Sequence, residues 1–165
     1  MSCRKVIIKT KRIKVYVKYT KLDGRYIGYH TNGNISRKAY FINGKENGTS
    51  ISYHDNKQIW LESYYIDDKE NGEENEYEKT GHLRMKSYYI DDEKNGRYIE
   101  YHESGVIECK SYFINDNESG QCIYYNFDGD IDNSFYYFDD VVYAIKMTVY
   151  VNSNQWKIYS NLCKQ

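Results

Sequence analysis

Proline is absent from the 165-residue chain, and with it every residue that would remove a backbone donor from a hydrogen-bonded ladder. No long hydrophobic run occurs: in MSCRKVIIKTKRIKVYVKYT cations interrupt each short apolar stretch. That leaves neither the apolar segment of a signal peptide nor a membrane span of about 20 residues. Cysteine is sparse. Cys3, Cys109, Cys122 and Cys163 form no CxxC pair and no Cys/His cluster at zinc spacing, which fits free thiols in a reducing cytoplasm. Acidic residues are missing from the first 22 positions, which hold Arg4, Lys5, Lys9, Lys11, Arg12, Lys14, Lys18 and Lys21 and leave the remainder at a net charge of -9.

What the chain has in excess is tyrosine. With 21 Tyr, 11 Gly and 17% aromatic residues, it stands apart from disordered chains despite a mean hydropathy of -0.88. Tyrosine suits a half-buried pleated surface and glycine suits tight turns, so the composition predicts β-structure.

The aromatics are periodic. At a spacing of 24, Gly24, Gly48, Gly72, Gly96 and Gly120 align, followed five places later by Tyr29, Tyr53, Tyr77, Tyr101 and Tyr125. Further columns hold Ile35, Ile59, Leu83, Ile107 and Ile131, then Tyr40, Tyr64, Tyr88, Tyr112 and Tyr136, each followed by Phe or Tyr. So many coincident columns define a tandem repeat. Each unit reads as two strands, one from the glycine to the Tyr29 column and one from the Ile35 column to the aromatic pair. Short turns such as "HTNGN" and "IDDKENG" join them, so neighbouring strands must be antiparallel. The expected fold is all-β: an elongated, single-layer, twisted antiparallel meander, with ten strands spanning roughly 48 Å. Alternation places Ile59, Leu61, Ser63 and Tyr65 on its core face and Trp60, Glu62, Tyr64 and Ile66 on the other. Residues 1–23 are read as basic cap strands with a half-repeat, 24–143 as five repeats, and 144–165 as a C-terminal cap hairpin in which Trp156 covers the open end.

The glycine, the tyrosine, "G-x-[IL]" and "Y-[YF]-I-[ND]" at this period resemble the MORN-variant repeats over about residues 17 to 140. The resemblance implies a multi-repeat protein. Members of that family include antitoxin-like bacterial factors and large expansions in giant DNA viruses of amoebae, and related MORN proteins are elongated scaffolds associated with membranes. The chain lacks the tryptophan- and glycine-dense signature of the ordinary MORN motif, which weakens the carry-over of a membrane role.

Residues with chemical potential have structural explanations. His30, His54 and His102 share one column, but equivalent positions lie about 9.6 Å apart, too far to share an ion that needs its nitrogens within roughly 2.1 Å. They read as turn-edge residues. The acidic pairs Asp67/Asp68, Asp91/Asp92 and Asp139/Asp140 recur in turns, where Asp bonds its own backbone, and no calcium loop surrounds them. With no nucleophile beside a base and no phosphate-cradling loop, neither an enzyme nor a cofactor is expected.

Two departures from the repeat rule fall within four residues. Trp60 stands in a column otherwise holding Ser36, Arg84, Glu108 and Asp132, and Lys57 replaces a glycine found at 33, 81, 105 and 129. Tryptophan is enriched at binding hot spots, so this pair is the candidate interaction site, set against the plainer reading that the indole folds over Tyr64 as packing. The favoured function is a cytoplasmic scaffold whose tyrosine-rich strip binds a protein partner or a second copy of itself. An antitoxin-like neutralising binder is a special case; glycan binding through rows of aromatics and membrane tethering are the alternatives. Nucleic-acid binding is not expected, because the alternating lysines of the N-terminal segment read as guards on an edge strand.

Overall fold

A computed structural model describes the backbone of residues 21–138, 141–145, 150–152, 155–157 and 162–164, and the side chains of residues 21–137. One antiparallel sheet contains the five repeats in meander order, each main strand beside its sequence neighbours. In every unit a six-residue strand, such as Gly48–Tyr53, pairs with an eight-residue strand, such as Ile59–Ile66. The register is the same in all five: Gly48 faces Tyr65, Ser50 faces Ser63, and a bulge shifts the pairing at Tyr53, which faces Ile59. Beyond the fifth repeat, Val141–Ile145 continues the sheet and Leu162–Lys164 pairs back on it, while Tyr150–Asn152 and Gln155–Lys157 form a separate two-stranded ladder. The basic cap at residues 1–20 and the side chain of Trp156 lie outside the described residues.

The connection between repeats differs from the simple two-strand reading. After each of the first four long strands comes a two-residue turn with positive φ at both positions, for example Asp91 (53°) and Asp92 (75°). This is the primed geometry that matches the twist of a hairpin. A two-residue strand follows, such as Glu93–Lys94 pairing with Tyr89 and Ile90. Only then comes the repeat glycine. From Phe41↔Glu46 to Lys38↔Ile51, three steps on the long strand oppose five on its partner, so the repeat glycine lies inside a bulge and not directly after a tight turn. The N–H of the preceding residue keeps the ladder closed by donating to the Tyr40-type carbonyl, as in Asn71 to Tyr64 at 2.7 Å. Gly96 shows why a glycine is required: its φ is 119°, and a Cβ there would lie 3.3 Å from the Cβ of Tyr88.

The sheet has one buried side. Ala39, Ser63, Ser87 and Ser111 are buried along the predicted core face, together with Ser50, Glu74, Cys109 and Cys122. These small residues leave room for edge-to-face rings: Tyr26 on Phe41 at 6.0 Å, Tyr98 on Phe113 at 5.6 Å and Tyr124 on Phe135 at 6.0 Å. A single layer cannot sequester large apolar side chains on both faces, so the core is a thin line of small residues flanked by half-buried aromatics.

Candidate functional site

The chemistry of the array lies on its two turn edges, its buried face and the open face opposite. At one edge each repeat is stapled to the next through side chains. His30 Nε2 lies 2.7 Å from the Tyr53 carbonyl, His54 Nε2 lies 2.8 Å from that of Tyr77, and His102 Nε2 lies 3.0 Å from that of Tyr125. A carbonyl only accepts, so Nε2 carries the proton in each. The histidine column is thus an inter-repeat ladder of donors, a role beyond the turn-edge placement expected for it. Asn32 and Asn34 extend the pattern by donating to the Asp55 carbonyl at 3.0 and 2.8 Å.

At the opposite edge the acidic turns perform the same task. The Asp68 carboxylate accepts the Glu46 N–H at 2.6 Å while the Asp68 N–H donates to the Glu46 carbonyl at 2.9 Å. Asp92 repeats this on Glu70, and Asp116 on Lys94. Asn47, Asn71 and Asn95 accept the N–H of Asp67, Asp91 and Asn115, each at 3.1 Å. The acids are occupied in holding turns together. Asp139 and Asp140 lie outside the described residues.

On the buried face each repeat junction is filled differently. Arg37 forms a bidentate pair with the buried Glu46, both contacts at 2.8 Å, and donates from Nε to Ser50 at 3.1 Å. At the next junction two carboxyl groups meet. Burial first, then the hydrogen bond and charge of Glu74, push Glu70 up to about 7, while the Ser63 and Ser87 hydroxyls donate to Glu74 at 3.3 Å. Lys94 then sits over the rings of Tyr98 and Phe113, at 5.1 and 5.5 Å. Last, the thiols of Cys109 and Cys122 lie 3.7 Å apart, and the contact with Cys122 together with burial holds the Cys109 thiol above its ordinary range. A thiol so held is a poor nucleophile.

The other face is open. Tyr40, Tyr64, Tyr88, Tyr112 and Tyr136 are 42% to 47% exposed, and Ile42, Ile66, Ile90 and Ile114 lie exposed two places further along each long strand. By contrast, the Tyr29 column is covered from the second repeat onward. Lys38 lies 5.0 Å over Tyr53, Lys110 lies 5.3 Å over Tyr125, and the Tyr77 hydroxyl donates to Glu62 at 3.2 Å. Trp60 is 45% exposed, with its ring 6.3 Å from His54 in a tilted arrangement. Lys57 lines a groove of about 270 Å³ with Gly33, Asn34, Ile35, Lys38 and Tyr53. Trp60 is not in its wall, so the two departures from the repeat belong to separate features.

One exposed aromatic escaped the sequence reading. Phe127 is 73% exposed and stacks 4.2 Å from His102. Its column otherwise holds Thr31, Asp55, Lys79 and Glu103, so the rule that singled out Trp60 applies equally to it.

The sheet, its repeated register and its stapled edges define a tandem β-repeat module. The MORN repeat variant family matches residues 22–43, 46–67 and 94–115, so the chain carries MORN-variant repeats at three tandem positions. No curated protein matches the chain significantly.

Proposed function

We propose that the chain is a non-catalytic binding module that engages a protein partner through its open tyrosine face, with Trp60 as an anchor. The exposed tyrosine row supports this most directly: five equivalent rings stand 42% to 47% exposed on the side away from the buried serines. Tyrosine gives large contact area at small entropic loss, and an indole surrounded by wettable residues gains most from being covered. The edges commit their histidine, asparagine and aspartate side chains to inter-repeat hydrogen bonds, so the open face is the larger continuous surface offered to a partner.

Affinity capture with the full chain tests the reading. The parent, Trp60→Ser and the double variant Tyr64→Ser/Tyr88→Ser are compared for one captured protein, alongside their thermal midpoints. Loss of about 2 kcal/mol of binding in Trp60→Ser at an unchanged midpoint supports the anchor. Retained capture in both variants, or a fall in midpoint that accounts for the loss, sinks it.

A further inference from the structure

The five repeats serve as internal controls for one another, and the groove beside Lys57 differs from its counterparts. Its turn needs no lysine. The Lys57 N–H donates to the His54 carbonyl at 3.0 Å, as the N–H groups of Gly33, Gly81, Gly105 and Gly129 donate to their own turns. Lys57 does so at φ 77°, a left-handed conformation that the glycines adopt without strain. Strained positions of this kind cluster at ligand clamps.

The groove brings two cations to an aromatic wall. Lys38 and Lys57 line it, with the Lys38 ammonium 5.0 Å over the Tyr53 ring, and Ile35 and Gly33 complete a partly apolar surface. Asp55, the acid nearest in the turn, is paired with Lys79 at 3.1 Å. One repeat further on, the places of Lys38 and Lys57 are taken by Glu62 and Gly81, and the Gln58 side chain lies against Gly81. The next two junctions keep one cation each, Lys86 and Lys110, opposite Gly105 and Gly129. Among the described residues, two cations converge in this way only at the first junction.

The geometry points to a site for an acidic side chain of a protein partner, whose carboxylate meets Lys38 and Lys57 while its hydrocarbon stem lies on Tyr53 and Ile35. A phosphate is the poorer fit, because most of this wall is apolar and offers its oxygens no donors. The volume suits a single side chain, being below the roughly 300 to 1,000 Å³ of pockets for drug-sized ligands. The inference deepens the protein-binding reading by naming the chemistry of one contact.

Backbone NMR of the full chain, titrated with an N-acetylated leucine-glutamate-leucine tripeptide amide, tests it. Shifts are expected at Gly33, Asn34, Tyr53 and Lys57, with weaker ones from the glutamine counterpart. Lys57→Gly, which restores the residue used by the other repeats, should weaken binding about threefold to fivefold and leave the fold intact. Equal response to the glutamine peptide, equal shifts at Gly81, Gly105 and Gly129, unchanged affinity in Lys57→Gly, or tighter binding of inorganic phosphate at the same residues would each overturn the site. Failure here with Trp60-dependent capture intact rejects the groove and leaves the open face standing.

Discussion

Asp92 holds both polar backbone groups of Glu70, one repeat earlier: its carboxylate accepts the Glu70 N–H at 2.7 Å, and its own N–H donates to the Glu70 carbonyl at 3.0 Å. The first of these bonds is charge-assisted and depends on a side chain; the second requires only the turn. Asp92→Asn keeps an acceptor and tolerates the 75° φ, so it should be near neutral. Asp92→Ala loses the acceptor and strains the turn, and should cost about 2 to 3 kcal/mol in denaturant unfolding.

The repeat glycines should not be equivalent. A Cβ at Gly96 would sit 3.3 Å from Tyr88, whereas at Gly48 and Gly120 nothing lies within 4 Å, although φ is positive at all three. Gly48→Ala should therefore cost the strain of a left-handed backbone, about 1 to 2 kcal/mol. Gly96→Val adds a steric term and should cost more. Both should exceed His54→Ala, which removes one inter-repeat hydrogen bond worth about 1 kcal/mol. Thermal unfolding of the three variants in that order checks the ranking; a His54→Ala variant less stable than Gly96→Val would contradict it.

Lys57→Gly should stabilise the chain by about 1 kcal/mol, because it relieves a left-handed non-glycine residue whose turn hydrogen bond is made by the backbone. A lower thermal midpoint would show that the lysine side chain supports the fold.

Stability should fall as pH rises from the ordinary glutamate range toward about 7. Glu70 is raised to about 7 by burial and by Glu74, with Asp92 adding to the rise and the Ser63 hydroxyl opposing it; Tyr65 and Tyr89 feel the same carboxylates. Between the two pKa values the folded chain binds more protons than the unfolded one, so each step up in pH favours unfolding. Above about 7 the loss is complete. Glu70→Gln should flatten this part of the profile and stabilise the chain at pH 8 by on the order of 1 kcal/mol, given the group's partial exposure. Urea midpoints of parent and variant at pH 5 and pH 8 provide the test.

The period of 24, the antiparallel order and the face on which Ser63 and Ser87 are buried all follow from residue type and spacing; for Trp60 the spacing left the anchor and packing readings open, and its 45% exposure is a finding of the structure. Repeats make this legible because one structural solution is written five times, and alternation at period two then assigns the faces. Tertiary structure alone decided what spacing cannot express. A bulge of two residues moved the glycines away from the turns, since register depends on how two strands meet. The histidines and aspartates became staples because a side chain of one repeat reaches a backbone group of the next, more than 20 residues away in sequence. Trp60 and Lys57, four residues or fewer apart in the chain, parted company because one stands on a strand and the other in the turn before it. The groove that took Lys57 also required Lys38 and Tyr53, which only the pairing of adjacent repeats brings to the same place.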